Sequence, residues 1–165
     1  MEAGEKAQLV SKLRLLRTDS ESRLFVADPW LTLRSEDYAG VRWPSCLLAT
    51  DHEVDIAAIL PALREILCAG ATYFCFCGPN ASAIHVATDG LDILLTSNRD
   101  IPVGRGGYAG TIGENDTSLE DSIFEFGTCA IHEDHTAFDR LVIPLGLQPF
   151  KDDLLRRLKN SSDFH

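Results

Sequence analysis

The sequence predicts one three-layer α/β domain, a mixed and partly parallel central sheet with helices on both faces. Three observations carry that expectation. Tyr73 to Cys77 is apolar at both alternate sets of positions, the pattern of a strand covered on both sides. It stops at Gly78-Pro79-Asn80, and a helical pattern begins at once. A helical stripe also precedes it, so the order is helix, buried strand, tight turn, helix. A length of 165 residues fits a single domain over residues 1–165.

The elements follow in order. Leu9, Val10, Leu13, Leu15 and Leu16 predict an N-terminal helix within residues 1–18. Arg23 to Ala27 is a short strand closed by Asp28-Pro29, and residues 30–44 are irregular, with Trp30 and Trp43 covering a core edge. Ser45 to Thr50 is a buried strand, with Asp51 as cap of the following helix. Ile56, Ile59, Leu60, Leu63, Ile66 and Leu67 form that helix's stripe; Pro61 should kink or split it, and Gly70 should end it. A second helix covers about Ala81 to Thr96. Residues 98–122, with five glycines, are expected to be a flexible loop holding at most a short strand within 107–112. Ile123 to Ile131 and Leu141 to Leu145 are expected as strands, antiparallel neighbours because nine residues are too few for a parallel crossover. A last helix spans about Phe150 to Lys159.

Charge and composition bound the function. With 25 acidic against 15 basic residues, the net charge of −10 disfavours nucleic acid and anionic membranes as partners. No apolar run is long enough to span a bilayer and no leader pattern opens the chain, so a cytoplasmic protein is expected. Five cysteines, an odd number mostly within apolar runs, read as reduced and buried thiols.

The candidate chemistry is dispersed. Gly78, Asn80 and Ser82 stand where a helix N-terminus could receive a phosphate or carboxylate, and Asp51 and His52 sit at a second strand end. Arg105, in the glycine-rich segment, would suit the same anion if that segment closed as a lid. Cys77 is placed for a nucleophile, but its neighbours make it core. Cys129, His132 and His135 are of zinc-ligand type, at a spacing that matches no standard zinc motif. Ser82, His85, Asp89 and Asp92 read as an exposed helix face rather than a triad. No fingerprint for a cofactor is complete, and none is expected.

Two functions follow as expectations. The first is a small acidic protein acting through protein contacts, a regulator or immunity-type binder of a basic partner, with no complete catalytic site. The second is a small-ligand-binding or enzymatic domain that takes a phosphate or carboxylate compound at the strand-end cleft near Asp51, Asn80 and Ser82.

Overall fold

Alternation along the strands sorts apolar side chains onto two faces, and each face carries its own core. The computed structural model describes residues 12–20 and 22–164. They form a six-stranded sheet from β1 (Arg14–Asp19), β2 (Ser22–Val26), β3 (Ser45–Thr50), β4 (Tyr73–Cys77), β5 (Gly110–Ile112) and β6 (Arg140–Leu145), in the order β1-β2-β6-β3-β4-β5. β1 and β2 form an antiparallel hairpin, and every other pairing is parallel. Four α-helices are seen among the described residues: α1 (Ile56–Cys68), α2 (Ala81–Ser97), α3 (Leu119–Thr128) and α4 (Gln148–Asn160).

On one face, Cys46, Leu48, Phe74, Phe76, Leu141 and Ile143 pack with the stripe of α1 and the buried residues of α2. On the other, Leu47, Ala49, Cys75, Cys77 and Val142 pack with Ile123 and Phe126 of α3 and Leu154 and Leu158 of α4. The chain runs β3-α1-β4-α2-β5 with both helices on the first face. It then crosses the second face through α3 and enters β6 on the opposite side of β3. The winding therefore reverses between β3 and β6, the place where open α/β sheets offer a crevice.

Several expectations are corrected. Arg14 to Asp19 are strand, not helix, and pair with β2 through an irregularity between Leu15 and Arg17; the first part of the expected N-terminal helix lies outside the described residues. Ile123 to Thr128 are helical, not strand. Ser118 caps α3 by accepting the Asp121 amide at 3.0 Å, and Ile123, Phe126 and Gly127 form its buried side. With α3 inside the crossover, β6 is parallel to β3 rather than antiparallel to a neighbour at 123–131. Pro61 neither splits nor ends α1; it lies on the exposed side, and the helix runs on to Cys68. Asp55, not Asp51, caps α1. Residues 98–122 hold a 3-10 turn (Val103–Arg105), β5 and the start of α3.

Candidate functional site at the carboxyl edge of the sheet

Parallel strands bring their carboxyl ends to one edge, and β3, β4 and β6 deliver Asp51, Gly78 and Gly146 there. The Thr50 hydroxyl donates to the His52 carbonyl at 2.9 Å and fixes the turn after β3. Asp51 then accepts twice. One oxygen lies 2.7 Å from His52 Nδ1, and the other takes the Leu147 amide at 2.9 Å. The His52 bond first, and the Leu147 amide next, hold the Asp51 carboxyl below the usual carboxylate range. An ionised Asp51 places the His52 proton on Nδ1, which leaves Nε2 as the free acceptor of an exposed ring.

Gly146 makes room for this pair, because a Cβ there would stand 2.5 Å from the Asp51 carboxyl carbon. Two openings meet at this point. One, of about 480 Å³, is bordered by Asp51, His52, Gly146 and Leu147. The other, of about 390 Å³, runs from His52 over Val54 and Ile59 to Trp30 and Leu145, with Lys151 and Asp28 at its rim. Lys151 Nζ binds both Asp28 oxygens at 3.0 and 3.1 Å. α4 begins here at Leu147 with no side-chain cap.

The β4 side of the same edge is closed by the protein's own groups. A Cβ on Gly78, whose φ is +139°, would fall 2.1 Å from Thr50 Oγ1, so glycine alone permits this approach of β4 to β3. The Asn80 amide pairs with the backbone of Val54, donating to its carbonyl at 2.7 Å and accepting its amide at 3.1 Å. The Ser82 amide donates to Asn115 Oδ1 at 2.9 Å, which satisfies the start of α2. Of the sequence-derived site residues, Asp51 and His52 face open space, whereas Gly78, Asn80 and Ser82 brace the edge.

Arg105 is elsewhere. It is fully buried at the amino edge, where its Nη1 lies 2.8 Å from Asp92 Oδ1 and its Nη2 donates to Thr96 Oγ1. Asp92 also accepts the Ala109 amide at 2.8 Å, so the glycine-rich segment is tied to α2 and does not cover the carboxyl edge. His132 and His135 share that opposite edge. His132 Nδ1 accepts the Asp134 amide, so its Nε2 carries the proton donated to the Tyr108 carbonyl. His135 Nε2 lies 2.7 Å from the Arg105 carbonyl, and its ring stacks on Trp43. Cys129 ends α3 with its thiol beside Thr128. Among the described residues no group of three or more His, Cys, Asp or Glu side chains is arranged to hold a metal ion. The carboxyl edge and residues 132–135 do not form one cleft.

His85, Asp89 and Thr111 form a small network on the first face, with Thr111 Oγ1 donating to Asp89 at 2.7 Å; Ser82 is not part of it. Burial pushes the Cys75 and Cys77 thiols up, away from a nucleophilic thiolate.

Gly146, Leu147 and Lys151 were not reached by sequence reasoning. The signal was present in Leu145-Gly146, a buried strand ending in glycine as β4 does. No protein-family model matches the chain, and neither the curated proteins nor the solved structures give a match.

Proposed function

We propose that the protein binds a small ligand with an apolar part and a phosphate or carboxylate group at the β3–β6 crevice. The observation that supports this most is the position of His52. Held at Nδ1 by Asp51, it borders both openings at the one place where the winding of the sheet reverses. Trp30, Val54, Ile59 and Leu145 offer an apolar wall of the kind small-ligand sites use. Lys151, whose Nζ also holds Asp28, is the cation along it, His52 offers its free Nε2 to a ligand hydroxyl, and the uncapped start of α4 adds partial positive charge. An imidazole steered by a carboxylate is also equipped to take a proton from a bound hydroxyl or water, which gives an enzymatic form of the same reading.

The test is an amide-resonance screen of phosphorylated and carboxylated metabolites against the full chain. A ligand of this site shifts residues 51–54 and 145–148, and His52→Ala weakens it. Hits whose shifts fall only outside those segments would remove the proposal.

A further inference from the structure

Charge is distributed unevenly on this chain. Between Arg105 and Arg140 there is no Lys or Arg, and there are eight Asp or Glu. Five of these, Glu114, Asp116, Glu120, Asp121 and Glu125, stand on α3 and the loop before it. Three of the five, Glu114, Asp121 and Glu125, line a groove of about 350 Å³ between β5 and α3. Its floor and walls are apolar at Cys75, Ile112 and Phe124. No basic residue lines it, and among the described residues none of the three carboxylates forms an ion pair.

A second feature points to a missing donor. Ser122 lines the groove, is 3% exposed, and its hydroxyl makes no hydrogen bond of normal geometry. The Cys77 thiol beside it is a weak partner. A buried hydroxyl in that state is costly unless a partner arrives. Phe124, an aromatic ring 49% exposed, projects from the helix next to it.

The sheet adds a third feature. β5 is the outer strand, and its Gly110 amide bonds inward to the Thr72 carbonyl. In a parallel ladder alternate residues turn their backbone groups to opposite neighbours, so the N–H and C=O of Thr111 face outward. An extended backbone can pair with them.

We propose that the groove between β5 and α3 takes an extended, arginine-bearing segment of a basic protein partner. The guanidinium meets Glu114, Asp121 and Glu125, and its stem lies against Ile112 and the face of Phe124. Arginine fits better than lysine because several carboxylates and a hydroxyl oxygen need a donor with many N–H groups in a fixed plane. A peptide fits better than a free polyamine because the outward Thr111 groups match a backbone. This site is separate from the β3–β6 crevice, and neither proposal depends on the other.

The experiment titrates the full chain with an oligo-arginine peptide at physiological ionic strength, with spermine as the small-cation comparison. Amide shifts should fall within residues 110–125. The double variant Asp121→Asn/Glu125→Gln should bind about tenfold more weakly, equivalent to about 1.4 kcal/mol. The variant Glu36→Gln/Asp152→Asn, which removes the same charge elsewhere, should bind as the parent does. Thermal melting of each variant shows that it remains folded. Equal losses in both double variants would mean attraction to net charge alone and would overturn the proposal. Spermine binding as tightly, with the same shifts, would make this a small-cation site and would also overturn it. Peptide shifts that spare Thr111 and Phe124 have the same consequence.

Discussion

Gly146 lies directly beneath the carboxylate of Asp51, closer than any side chain would allow. The contact lets β6 end against β3 and lets Asp51 hold both His52 and Leu147. Gly146→Ala should therefore push the carboxylate aside. The expected cost is about 1–3 kcal/mol, typical of an overpacked site, measured by urea unfolding. The Leu147 amide resonance should move as its acceptor is withdrawn; an unchanged resonance would show that Asp51 is held by something else.

Arg105 and Asp92 form the most deeply buried ion pair among the described residues. Arg105→Ala should cost about 3–5 kcal/mol, because Asp92 would be left charged in the core. Arg105→Met with Asp92→Leu should recover much of that loss, since neither charge then remains buried. A double variant as unstable as the single one would argue that the segment needs these bonds individually. Denaturant midpoints distinguish the two outcomes.

Asp139 contributes to the acid dependence of stability. Burial raises the pKa of its carboxyl, but the side chains and amides of Arg23 and Arg42 more than offset that and leave it lowered. A lowered folded value means that the stabilisation is fully present above the ordinary carboxylate pKa of about 3.9. It is lost as pH falls through the folded value. Stability measured by denaturant at stepped pH should decline in that acid window. Asp139→Asn should be less stable at neutral pH and flatter below it; an equally steep acid decline in the variant would assign the effect to other carboxylates.

Thiol chemistry separates the five cysteines. Burial pushes Cys46, Cys68, Cys75 and Cys77 up, whereas Cys129 is exposed. A disulfide reagent should label Cys129 rapidly in the native protein, the half-buried Cys68 more slowly, and Cys46, Cys75 and Cys77 only on unfolding. Cys129→Ser should abolish the rapid phase. A rapid phase that survives would place an accessible thiol at Cys68 or in the core strands.

Strands buried on both sides were legible from the sequence because their apolar runs have one explanation. β3 and β4 match Ser45–Thr50 and Tyr73–Cys77 residue for residue. The misread segments had two explanations. Ile123 to Ile131 is rich in strand-favouring residues, yet Ser118 with Asp121 three places on is a helix start, and that local signal prevailed. Leu13, Leu15 and Leu16 lie near helical spacing, but pairing with β2 determined the outcome. At the site, Asp51 and His52 were visible as a strand end. Their partners Gly146 and Leu147, just after β6, are almost a hundred residues away, and no local pattern announces such a meeting.

The place of β6 has a consequence for assembly. β6 is the sole strand that joins the β1–β2 hairpin to β3, β4 and β5, yet it is the last strand in the chain. Until residues 140–145 are in place, the sheet is two unconnected pieces, each with an uncovered edge. A chain cut before Arg140 would lack the link itself, not merely its final segment. Completion should therefore be all-or-none, with the closing strand also setting the walls of the crevice beside Asp51.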